Sequence, residues 1–176
     1  DSPRSDIKIS PIWNETKEFA KNFLRLHSYN FSQKDMVTGL FNSEYFWDII
    51  RLKSQDKAYE NLTLIRFFNC PDISLVASVL KSNLSRLFGE DFKIYRLYDS
   101  TFGFFLAENE NPQFQSIVSE ILSELNQHDS GIHFSVGAAD KNLTYSSSQR
   151  WFQKAENALE ESALSGHNHY KQFSLK

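Results

Sequence analysis

Leu62-Thr63-Leu64-Ile65-Arg66-Phe67-Phe68 decides the fold. The run is apolar in character apart from Arg66, which predicts a buried central strand rather than a half-exposed edge. On its C-terminal side, Pro71 stands where a helix should begin. Ile73, Val76, Val79, Leu80, Leu84 and Leu87 then follow at helical spacing. On its N-terminal side, Asn42 is placed to cap a helix whose apolar face is Tyr45, Phe46, Ile49, Ile50 and Leu52.

Further along, residues 92–97 and 102–107 predict two strands of a hairpin around Tyr98-Asp99-Ser100-Thr101. Pro112 opens a helix running to residue 125. Residues 133–139 predict a strand. Residues 151–165 predict a helix with Ala155, Ala158, Leu159 and Ser162 on one face and Gly166 at its C-cap. Residues 170–173 add a last short strand. At the other end, residues 1–10 read as a polar linker. Phe19, Phe23, Leu24 and Leu26 set an amphipathic helix over residues 13–29. The order implies an α/β domain with a central mixed, mostly antiparallel sheet of about five strands covered by helices. Residues 1–33 form a linker and signalling helix, and residues 34–176 the folded domain.

A length of 176 residues suits one domain. A net charge of −3 argues against a general nucleic-acid binder, which needs a basic surface. The single cysteine, Cys70, excludes an internal disulfide and any Cys-rich zinc site, and suits a reducing compartment. Five Asn-x-Ser/Thr sequons, at Asn14, Asn30, Asn61, Asn83 and Asn142, read as products of an Asn- and Ser-rich composition. No stretch of these residues reads as a signal peptide or as a long apolar run, so no spanning helix is expected within them. The chain starts at Asp1 and its one methionine is Met36, so we expect a piece of a longer protein whose other parts hold a sensor, an anchor or an output domain.

Other chemistry is thinly signalled. His167 and His169 lack a third metal ligand nearby in sequence. Cys70 lacks the partners of a nucleophile. Asp56, Glu60, Glu90 and Asp91 read as solvated acids. Glu156 and Glu160 share a helix face at i, i+4, which is repulsive unless a cation joins them. Sixteen phenylalanines suit either a dense core or, in part, an exposed docking surface together with Tyr98.

Three anchors in order then resemble the GGDEF family of diguanylate cyclases. Asp35-Met36-Val37-Thr38-Gly39-Leu40-Phe41-Asn42 looks like the family's D-x-L-T-G-L-x-N opening. Arg96-Leu97-Tyr98-Asp99-Ser100-Thr101-Phe102 stands where the family has R-x-G-G-D/E-E-F. Phe134-Ser135-Val136-Gly137-Ala138-Ala139, then Ala155-Glu156-Asn157-Ala158-Leu159 and Gly166-His167-Asn168, look like its S-x-G-x-A strand and final helix. The resemblance runs from about Lys34 to Phe173. It implies a cyclase-like fold. Active members join two GTP molecules into cyclic di-GMP across a homodimer, using metal-bound carboxylates and a Gly-Gly turn that lets the backbone approach the nucleotide.

Against that pattern this sequence departs at each functional position. The two glycines become Tyr98 and Asp99, the acidic pair becomes Ser100 and Thr101, and only Phe102 survives. Arg66 stands where the first strand supplies a metal-binding aspartate. Asn69-Cys70-Pro71-Asp72-Ile73-Ser74-Leu75 is shorter than the guanine-recognising stretch by about half a dozen residues, one surface loop; Asn69 or Asp72 there should cap the next helix. The phosphate-binding Lys and Arg become Ala163 and His167. Gly89-Glu90-Asp91-Phe92 replaces the R-x-x-D product site, with Arg86 out of register.

The resemblance therefore implies a degenerate, non-catalytic module needing no cofactor or metal, since phosphoryl transfer without carboxylate ligands lacks its main electrostatic stabilisation. Tyr98, Asp99, Ser100, Thr101 and Phe102 are the expected contact site. Expected partners are a sensor or EAL domain of the parent protein, a separate protein, or a second copy, at a cytoplasmic location. The membrane is expected to be reached only through missing segments. Two alternatives stay open. One is a receptor for GTP or cyclic di-GMP, with Arg66, Arg96 and His167 on phosphate. The other is a module of a degenerate GGDEF–EAL regulator of RNA decay.

Overall fold

The structure, a computed structural model, describes residues 15–21, 33–141 and 147–173. The chain divides into two units, Asp1–Lys34 and Asp35–Lys176. In the first, residues 15–21 are helical (α1), and Phe19 on it is exposed. The expected linker over residues 1–10 lies outside the described residues, as do Phe23, Leu24 and Leu26.

The second unit runs α2 (Ser43–Gln55), β1 (Asn61–Phe68), α3 (Ile73–Phe88), β2 (Tyr95–Tyr98), β3 (Thr101–Leu106), α4 (Glu110–His128), β4 (His133–Asp140), α5 (Ser148–Leu164) and β5 (His169–Gln172). The strands form one five-stranded sheet in the order β2-β3-β1-β4-β5. β1 is central, antiparallel to β3 and to β4, while β5 runs parallel to β4. Residues of β1 alternate between two layers, as strand geometry requires. Ile65 and Phe67 join Phe102, Phe104, Phe134 and Val136 in a core under α3 and α4. Leu62 and Leu64 join Tyr95, Phe105, Ala139 and Trp151 in a core with α2 and α5. That second layer is unusually tight at one point: a Cβ on Gly137 of β4 would lie 2.0 Å from the Leu159 backbone nitrogen of α5. The helix lies directly on the strand because that residue has no side chain.

The sequence expectations need corrections of detail. Asn42 does cap α2, its Oδ1 accepting from the Tyr45 nitrogen at 2.9 Å. Leu52, however, is 67% exposed. It follows buried Ile50 by two residues, about 200° around the helix, and so points away from the core. Helix α3 starts at Ile73, two residues after Pro71, because Asp72 caps it by accepting from the Ser74 and Leu75 nitrogens. Pro112 falls inside the first turn of α4, where its missing N–H would have no helical partner anyway. α5 starts earlier than expected, capped by Ser147, and its C-cap is Ser165, with Gly166 one residue beyond. Strand β2 covers Tyr95–Tyr98 rather than residues 92–97, its ladder with β3 starting at Tyr95, and Phe41 bridges its other edge there: the Phe41 nitrogen donates to Ile94 O and its oxygen accepts from Arg96 N. Finally, Tyr98 and Thr101 are strand residues, so the hairpin turn is only Asp99-Ser100.

Among the described residues of this unit no Phe, Tyr or Trp is fully exposed: the largest, such as Phe46, Phe67, Phe102, Phe104 and Trp151, fill the core, and the rest, Tyr98 among them, are half-buried. Two of the sequons, at Asn61 and Asn83, have buried side chains engaged by Gln172 and by Val79 O and Glu124.

Candidate functional site

The site is built where β1 ends beside the β2–β3 hairpin, with α5 lying across the same face. Arg66 is the hub. Its Nε donates to Thr101 Oγ1 at 3.0 Å, one guanidinium nitrogen to the Tyr98 hydroxyl at 2.9 Å, and the other to Glu160 Oε1 at 2.8 Å. The Tyr98 hydroxyl in turn donates to Glu156 Oε2 at 2.9 Å. The guanidinium also lies 5.5 Å from the Tyr98 ring centroid, within cation–π reach. Burial opposes the Arg66 charge, but the bonds to Glu160 and Tyr98 and the Glu160 charge outweigh it and hold its pKa above the usual value. Burial, then the bond to Glu156, pushes the Tyr98 phenol up, so it stays a neutral donor.

Arg96 is engaged elsewhere. One of its nitrogens reaches both Asp35 oxygens, at 3.2 and 3.3 Å, and its Nε donates to the Asp99 carbonyl at 3.0 Å. Asp35 also accepts from the Thr38 nitrogen and hydroxyl at 2.9 and 2.7 Å. Burial raises the Asp35 pKa, but the Thr38 bonds and then the Arg96 charge bring it below the carboxylate range. His167 lies in a third place. Its ring stacks on His133 at 3.7 Å between centroids, and His133 stacks on Phe68 at 4.9 Å. The three residues expected on phosphate thus have three separate sets of partners.

The turn itself is held from below. The Ser100 hydroxyl donates to Phe67 O, and the Phe67 nitrogen to Ser100 O. Asp99 sits at φ +46°, a left-handed position where the resemblance places glycine. Asp99 is exposed, Tyr98 and Ser100 are half-buried, and Thr101 and Phe102 are fully buried. Thr101 and Phe102 therefore drop out of the expected contact site, because a partner has no path to them. Beside the turn lies an open cavity of about 660 Å³, lined by residues that include Phe68, Asn69, Cys70, Arg96, Asp99 and Ser100. Burial pushes the Cys70 thiol up, away from the reactive thiolate.

The residues present do not fit a divalent cation. β1 carries no carboxylate, Asp99 of the turn is not bonded to Arg66, and the two α5 carboxylates at the cleft, Glu156 and Glu160, are already bonded to Tyr98 and Arg66. No group of three His, Cys, Asp or Glu suited to a metal exists among the described residues.

No family model matches the chain, and no curated protein matches it. Solved structures do. The coiled-coil and GGDEF domain of DgcB from Caulobacter crescentus, in complex with c-di-GMP, superposes with a TM-score of 0.66 at 17% identity, covering 95% of this chain and 99% of that one. The FimX GGDEF domain from Pseudomonas aeruginosa gives 0.60 at 20% identity over 80% of this chain and 99% of that one. The fold is that of a GGDEF domain. LapD from Vibrio cholerae, an S helix–GGDEF–EAL protein bound to c-di-GMP, gives 0.62 at 16% identity over 92% of this chain and 41% of that one.

Within this GGDEF-like fold, sequence reasoning found Arg66, Tyr98 and Thr101, which do meet. It missed Glu156 and Glu160 as their partners. The signal was the i, i+4 pair of acids with no visible cation, which Arg66 supplies from 94 residues away.

Proposed function

We propose that this chain is a catalytically silent GGDEF-like domain, serving as a regulatory or protein-interaction module of a larger cyclic di-GMP-type signalling protein in the cytoplasm. One observation carries the reading: a guanidinium, bonded to Tyr98, Thr101 and Glu160, stands where the chemistry needs carboxylates around a metal. A fixed positive charge there repels Mg²⁺, and the tyrosine takes the space of the glycine that would admit a nucleotide. LapD, where a GGDEF domain is joined to an EAL domain, supports partners within the parent protein. The contact surface in this reading is the exposed Asp99 with the accessible parts of Tyr98 and Ser100.

The test is turnover. The chain is incubated with GTP and Mg²⁺ or Mn²⁺ and the products are resolved by chromatography. No cyclic di-GMP should form; a metal-dependent yield of product would overturn the reading.

The receptor alternative has one observation in its favour, the 660 Å³ cavity beside the turn, a size that suits a small ligand. Against it, Arg96 on that cavity is already held by Asp35 and the Asp99 carbonyl. A thermal-shift panel with GTP, GDP and cyclic di-GMP separates the two. A flat panel at millimolar ligand removes the receptor reading. A ligand at a hundred times its Kd adds about 2.7 kcal/mol to the folded state, which is readily seen.

A further inference from the structure

We infer that Arg66 is the resident cation of the cleft: its guanidinium takes the place of an ion, neutralising the α5 carboxylates and closing α5 on the β2–β3 hairpin without a metal. The GGDEF resemblance implies a divalent cation at this position, and the donor set does not fit one. What the set does fit is a planar cation with several donors.

Glu156 and Glu160 stand on one face of α5, where like charges one turn apart repel. Each reaches the same guanidinium, Glu160 directly and Glu156 through the Tyr98 hydroxyl. The hairpin fixes Arg66 through Thr101 and Tyr98 independently of α5. The Arg66 side chain is 18% exposed and that of Glu160 55%, so the cation sits inside and the carboxylate closes over it from outside. One further polar group lies beside Arg66 in the sheet. Ser135 lies directly opposite Arg66 in the β1–β4 ladder, and its fully buried hydroxyl has no hydrogen-bond partner.

Removing the Arg66 charge would leave the Glu156 and Glu160 carboxylates and the Tyr98 and Thr101 hydroxyls, the groups its bonds now link, without a cation between them. That is a hard, oxygen-only set, suited to Mn²⁺ or Mg²⁺. The wild-type chain should therefore ignore divalent ions, and an uncharged isostere at position 66 should acquire a dependence on them.

This inference rests on the silent-domain reading in one respect, that no metal occupies the wild-type cleft. Its test needs no GTP, so the two can fail separately. Thermal unfolding of the full chain is followed with Mn²⁺ up to about 10 mM for wild type, Arg66→Met, Arg66→Lys and the triple variant R66M/E156Q/E160Q. The Mn²⁺ electron paramagnetic signal counts bound ion in parallel. Wild type and R66K should stay flat. R66M should melt lower and regain several degrees with Mn²⁺ while binding about one ion per chain, and the triple variant should lose both effects. Should R66M not fold alone, recovery of its circular dichroism on adding Mn²⁺ is the same result. A folded R66M that neither binds nor responds, an unfolded one that Mn²⁺ fails to rescue, or a wild-type response as large as that of R66M, overturns the inference.

Discussion

At Arg66 a single side chain organises a site. Its partners are unequal, and that inequality sets the expected costs. Glu160 is more than half exposed, and an exposed ion pair contributes about 0–1 kcal/mol. Glu160→Gln should therefore lower stability by less than about 1 kcal/mol in urea unfolding. Arg66→Met removes bonds to charged and neutral partners together and should cost about 2–3 kcal/mol. Equal costs for the two would mean that Glu160, rather than the hairpin, holds the guanidinium. Asp99 gives the opposite sign. Its φ of +46° is strained for an L residue, so Asp99→Gly should stabilise by up to about 1 kcal/mol, read from the denaturation midpoint. These residues also mark the limit of what the sequence discloses. Arg66 is visible as a charge in an apolar strand. Its partners lie 32, 35 and 94 residues away, and only the fold brings them together.

Among the elements, β1 was the most legible, because a strand buried on both faces has to be apolar along its length. Helix starts were less so. Pro71 and Asp72 are both starting signals, and the side-chain cap, not the proline, set the first helical residue. The hairpin turn spans two residues rather than four, since Tyr98 and Thr101 look like turn residues in sequence yet pair across the ladder. The packing of α5 on β4 was outside the reach of pattern reading. It depends on Gly137, where a methyl group would overlap the Leu159 nitrogen. Gly137→Ala should push the helix off the strand, cost about 3 kcal/mol or more, and loosen the Arg66 contacts with it. Amide hydrogen exchange should then quicken along α5 and β5 while α3 and α4 keep their protection. Uniform exchange across all helices would show that the two layers do not open separately.

The whole molecule carries its pH limits in a few groups. Asp35 has a folded pKa below its unfolded value, so its contribution is full above about pH 3.9 and is lost as pH falls through the lower folded value. At the other end, burial and then Asp140 push the Tyr59 phenol up to about 12, and burial raises Tyr95, Tyr98 and Tyr170 as well. These phenols stay protonated in the fold while an unfolded chain loses their protons near pH 10. Stability should hold up to about pH 10 and then fall steadily toward pH 12. A denaturation midpoint unchanged between pH 9 and 12 would contradict that burial.

The pairing of β5 beside β4 also bears on the order of assembly. Asn61, at the first position of β1, exchanges hydrogen bonds with Gln172, 111 residues later. On a ribosome, β1 leaves the exit tunnel long before that partner exists. The antiparallel core of β3, β1 and β4 can zip up first, but the parallel strand must wait for α5 to cross over. Until β5 arrives, Asn61 has only water for its amide, in a position the finished fold buries completely. Assembly of this sheet therefore closes with a late docking step, and a nascent chain stalled before His169 would expose an unfinished sheet edge to whatever else in the cell adds strands.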